Sequence, residues 1–101
     1  MIYELLKEHR AIGNDRAISL EKLAHLTGIT ERSVMLRVEK ERRAGRLICS
    51  TSKGNHGYYL PECTEDLKAF VRQQNSRMKA HRKVILPFIR AIRNDDWEKL
   101  A

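Results

Sequence analysis

The sequence predicts a mainly α-helical protein with one small β-hairpin and a C-terminal helical extension, and three observations carry that prediction. Apolar residues recur at helical spacing in three successive segments between Ile2 and Ala44. The period then changes to two short β-prone runs, Leu47 to Thr51 and Gly57 to Leu60, around a segment tolerant of positive φ. From about Thr64 the helical spacing returns. The expected division is a domain over 1–62 and a helical extension over 63–101.

Ile2, Leu5 and Leu6 predict a first helix from about Ile2 to Arg10, broken by Gly13, Asn14 and Asp15. Ala17, Ile18 and Ser19 read as a brief extended piece, and Ser19 is a good N-cap for a second helix. Its apolar stripe is Leu20, Leu23, Ala24 and Leu26, and it stops at Thr27 and Gly28. Thr30 caps a third helix from Glu31 to about Ala44, where Gly45 can turn the chain through a left-handed residue. Pro61 closes the hairpin, because proline cannot donate to a sheet ladder. Thr64, Glu65 and Asp66 supply a cap and two acids to the last helix, which Pro87 is expected to kink or divide.

Composition narrows the function classes. The 101 residues are 42% hydrophobic, enough for one compact core, and carry 20 Lys+Arg against 13 Asp+Glu, a formal net charge of +7. So basic a small chain points to an anionic partner, and nucleic acid is the usual one. No window approaches the ~20 apolar residues of a membrane span. The N-terminus carries acids and lacks a signal peptide's apolar run, so a cytoplasmic setting is expected. Cys49 and Cys63 fit a reduced compartment better than a disulfide framework.

The segment Ile18 to Val34, followed by Arg42 to Ile48, resembles the helix-turn-helix and wing entry of winged-helix DNA-binding regulators. The resemblance covers Ile2 to about Pro61, and with the helical tail the chain looks like the small winged-helix proteins of phages and prophages. It implies that Ala24 lets two helices cross closely, Gly28 makes the turn, Ile29 fills the corner and Val34 anchors the recognition helix. That helix, about 30–44, would enter the major groove, with the wing, about 47–60, on the backbone or minor groove. Thr30, Glu31, Arg32 and Ser33 are then the candidate reading residues. Arg32 could bond guanine bidentately, Ser33 a base or phosphate, and Glu31 could accept from cytosine or serve the helix dipole alone. Arg37 could reach a base or phosphate, and Lys53, Asn55 and His56 would touch the backbone from the wing tip. Arg42, Arg43 and Arg46 read as a solvated group that offsets the helix dipole.

In one place the chain departs from the family pattern. Positions 37 and 41 are usually apolar and core-facing, yet here they are Arg37 and Glu41, four apart and able to pair. Either the helix is rotated, or these two face a groove at a subunit boundary.

The tail carries more apolar surface than a three-helix core can cover. Leu67, Phe70, Val71, Met78, Ile85, Phe88, Ile89 and Ile92 are the candidate dimerisation residues, with polar Gln74 and His81 interrupting their stripe. The other arrangement is a tail that folds back on its own domain. Duplex DNA and a second copy of the chain are therefore the expected partners. A protein-interaction module docking on a host or replication protein is the alternative.

No cofactor or metal is expected. Cys49, His56 and Cys63 lack the closely spaced ligand pair of structural zinc sites, and Asp95-Asp96 has no neighbouring ligands. There is no glycine-rich phosphate loop and no nucleophile beside an obvious base, so an enzyme is not expected.

Overall fold

The structure is a computed structural model that describes residues 1–51 and 57–94. Among these residues the elements are α1 (Ile2–Glu8), a single 3-10 turn (Asn14–Arg16), β1 (Ile18–Ser19), α2 (Leu20–Thr27), α3 (Glu31–Arg43), β2 (Cys49–Ser50), β3 (Gly57–Tyr59) and α4 (Thr64–Asn94). The fold is mainly helical with a small antiparallel sheet in the order β1-β3-β2. The chain falls into two units that divide within α4, Met1–Phe70 and the residues from Val71 onward.

Local hydrogen bonds set the helix ends. Ser19 Oγ accepts from the Lys22 N–H at 3.1 Å and opens α2. Gly28, in the left-handed conformation at φ 74°, ends it. Thr30 Oγ1 accepts from the Ser33 N–H at 3.1 Å and opens α3. At the end of α3 the Gly45 N–H reaches the Arg42 carbonyl and the Arg46 N–H reaches the Glu41 carbonyl, both at 3.0 Å. That pair of bonds around a left-handed residue is a Schellman motif.

The first helix ends two residues earlier than the sequence predicts, and by the same motif. The Ala11 N–H bonds the Leu6 carbonyl at 2.9 Å and the Arg10 N–H bonds the Lys7 carbonyl at 3.1 Å. Arg10 itself sits at φ 53°, where a glycine is the usual residue. With no glycine there, nothing local in the sequence marks the stop.

In the hairpin, Cys49 lies opposite Tyr59 and Ser50 opposite Tyr58. Its first strand is shorter than predicted, because the Ile48 N–H bonds back to the Arg46 carbonyl at 3.1 Å and keeps Arg46 to Ile48 bent. The extended piece at Ile18–Ser19 gains a partner that local sequence does not announce. It pairs with β3, Ile18 opposite Tyr58 and Ser19 opposite Gly57.

The core of the first unit is aliphatic. Ile2, Leu6, Leu23, Val34, Val38 and Ile48 are no more than 2% exposed, and Ile18, Tyr58 and Leu60 close over them. Each such aliphatic contributes about 1.5–3 kcal/mol by leaving water. Leu26, predicted to join the stripe of α2, is instead exposed. It stands well round the helix from Leu20, Leu23 and Thr27, which share one face at about 100° per residue.

Two expectations for α4 change. Thr64 is already helical, and Asp66 Oδ2 reaches back to accept from the Glu62 N–H at 2.8 Å, so the acid rather than the threonine makes the starting contact. Pro87 lies inside α4 without dividing it. The missing N–H releases one carbonyl, that of Lys83, and the helix continues on either side. No residue of α4 is buried, although Leu67 and Phe70 are half-buried.

Candidate functional site

The best-defined polar surface surrounds the start of α3. Val34 and Val38 are buried and fix which side of the helix faces the core. At about 100° per residue, Arg32, Ser33, Leu36, Lys40 and Arg43 fall on the opposite side, and all are exposed. Thr30 and Glu31 precede them and are exposed as well. Lys40 and Leu36 were not singled out from sequence, although their spacing from Arg32 and Ser33 would have placed them on this face.

The turn holding this surface is well specified. Thr30 Oγ1 accepts from the Ser33 N–H and donates to Ser33 Oγ at 2.9 Å, so two of the four predicted reading residues are bonded to each other. Ile29 packs partly against the core, as does Ala24 on α2. An open depression lined by Ser19, Lys22, His25, Gly28, Thr30 and Glu31 lies between α2 and the start of α3. The first N–H groups of α3 and the positive end of its dipole favour an anion here. Exposed Arg32 adds charge on the same side, whereas Arg43 is paired with Glu39 at 2.6 Å.

Glu41 has a structural role that resolves its departure from an apolar pattern. Its carboxylate caps the N-terminus of α1, accepting from the Ile2 and Tyr3 N–H groups at 2.9 Å each. The Met1 amine stands 3.2 Å away and Arg37 Nε 3.7 Å away. Burial is the largest influence on this carboxyl and raises its pKa. The Tyr3 and Ile2 N–H bonds and the amine outweigh it, and the net shift is downward. The predicted Arg37–Glu41 pairing is thus present, with Arg37 exposed on the flank of α3 and Glu41 turned to α1.

The basic group at the end of α3 is not simply solvated. Arg42 is half-buried, donates from Nε to the Ile48 carbonyl at 2.8 Å, and lies over the Phe70 ring at 4.6 Å and the Tyr58 ring at 5.8 Å. Arg46 lies over Tyr3 at 4.6 Å and is 3.7 Å from Glu4. Arginine serves here because its flat guanidinium stacks on rings while still donating in plane. Phe70, a candidate dimerisation residue, therefore already has a partner within its own unit.

Lys53, Asn55 and His56 lie outside the described residues, as do Asp95 and Asp96. Cys49 is buried in β2 and its thiol pKa is pushed up, first by burial and then by Asp66, against an opposing effect of Arg42. Cys63 is exposed. Among the described residues no three His, Cys, Asp or Glu side chains gather as metal ligands, and no helix is long and apolar enough to cross a membrane. No family model, curated protein or solved structure matches the chain.

Proposed function

We propose that this chain is a winged-helix regulator that binds duplex DNA sequence-specifically, of the kind carried by phages and mobile elements. One observation carries the reading most directly. The first turn of α3, Thr30 to Ser33, is exposed and capped while Val34 and Val38 clamp the other side of the helix. A rigid helix offering its N-terminal residues to the major groove needs that arrangement. Arg32 reads a base, Lys40 meets a phosphate, and the β2–β3 hairpin follows the backbone or minor groove as a wing. The net charge of +7 supplies the sequence-independent attraction. Two copies joined through their tails would present two such helices about one DNA turn apart.

Selection from random duplex DNA at near-physiological salt tests the reading, and recovery of a short palindromic motif is expected. On that motif Arg32→Ala should cost about 1–3 kcal/mol, whereas Lys40→Ala should weaken all sequences alike and lower the salt slope by about one. Binding that enriches no motif and vanishes with salt would refute it.

A second reading has its own observation. Met35 and Leu36 on α3 are each more than half exposed, at 52% and 55%. Apolar residues on the outer face of a helix also suit a protein groove. If Leu36→Ala abolishes capture of a protein partner while Arg32→Ala leaves DNA affinity unchanged, α3 is a docking helix on a host or replication protein.

A further inference from the structure

The apolar surface of α4 repeats every seven residues. Val71, Met78, Ile85 and Ile92 each follow the last by seven, and Gln74, His81 and Phe88 stand three residues after the first three. Val71, Met78, Phe88 and Ile92 are all more than half exposed, at 54%, 67%, 69% and 75%. A helix that packs on a globular core follows a period near 3.6. A 3.5-residue repeat kept over this length is the pattern of a helix that supercoils with another of the same period.

We infer that α4 pairs with α4 of a second copy as a parallel, in-register coiled coil, with Val71, Met78, Ile85 and Ile92 in one set of core layers and Gln74, His81 and Phe88 in the other. The inference rests on the self-association proposed above, and not on DNA binding. The two polar residues choose the orientation. In a parallel pair each core residue meets its own copy, so amide faces amide and imidazole faces imidazole, and both can hydrogen-bond across the axis. In an antiparallel pair each set of layers meets the other set, so Gln74 and His81 would face apolar side chains and bury unmet polar groups.

The area is sufficient. At on the order of 100 Å² each, Val71, Met78, Ile85, Phe88, Ile89 and Ile92 would remove about 600 Å² per copy and about 1,200 Å² in all, the lower edge of a specific interface. Charge sets a condition on it. Parallel pairing brings Arg77 beside Arg82 of the second copy, an exposed like-charge contact that salt screens. Association should therefore strengthen as ionic strength rises.

The test uses the full chain with Cys63→Ser, carrying Val71→Cys or Phe88→Cys, with circular dichroism to verify that each variant keeps its helix. Light scattering reports the oligomeric state, and mild oxidation reports which positions meet. The expected result is a dimer in which each variant crosslinks to itself. A dimer in which neither does so, or in which mixed variants join 71 to 88, overturns the parallel register and leaves self-association standing. A monomer at tens of micromolar overturns both.

Discussion

Replacing Glu41 by alanine removes the cap of a helix that begins 39 positions earlier in the chain. Two backbone N–H groups, those of Ile2 and Tyr3, lose a charged acceptor at 2.9 Å, and the amine of Met1 loses its neighbour. Losing an N-cap costs about 0.5–2 kcal/mol, and hydrogen bonds to a charged group about 1.5–3 kcal/mol. The carboxylate is 14% exposed, so solvent replaces these bonds poorly, whereas the contact with half-exposed Arg37 adds little. A loss of about 2–3 kcal/mol is expected, or a fall in Tm of roughly 10–20 °C at about 4–8 °C per kcal/mol. Glu41→Gln keeps one acceptor oxygen and should lie between the two. Because the folded carboxyl titrates below its ordinary value, its contribution is fully present above the usual glutamate range and is lost as pH falls through and below it. Thermal and urea unfolding of the parent, Glu41→Ala and Glu41→Gln between pH 7 and pH 3 would measure both effects. A loss under about 0.5 kcal/mol for Glu41→Ala at pH 7, or the same acid dependence with and without the carboxyl, would refute the capping role.

Arg10→Gly should stabilise the protein by about 0.5–1 kcal/mol, because glycine adopts φ 53° without the strain of a Cβ; an unchanged or lower urea midpoint would contradict it. Thr30→Ala should cost about 1 kcal/mol by removing the cap on α3. If the start of α3 reads DNA, it should also weaken specific binding beyond what stability explains, as compared by gel shift well below Tm. Arg42→Ala should cost about 1–3 kcal/mol through the Ile48 carbonyl and the rings of Phe70 and Tyr58. Arg43→Ala, which loses an exposed pair with Glu39, should change the unfolding midpoint very little.

Features readable from sequence are those whose physics is completed within a few residues. Ser19 and Thr30 cap helices by bonding three residues ahead, and Gly28 and Gly45 end them by occupying a left-handed conformation. Val34 is buried because its spacing matches its helix. Of the candidate site, Arg32, Ser33 and Arg37 are exposed on α3 as sequence placed them. The tertiary structure decided the rest. A charged residue at an apolar position reads as an anomaly until the N-terminus of α1 arrives beside Glu41. A basic cluster reads as solvated until Arg42 finds the rings of Tyr58 and Phe70. The two-residue strand β1 has no partner until β3 lies alongside it. The caps at Ser19 and Thr30 and the turns at Gly28 and Gly45 depend on backbone geometry that neighbouring residues fix, so the sequence determined them. Partners that meet across long stretches of chain depend on how the core closes, and that only the folded structure decides.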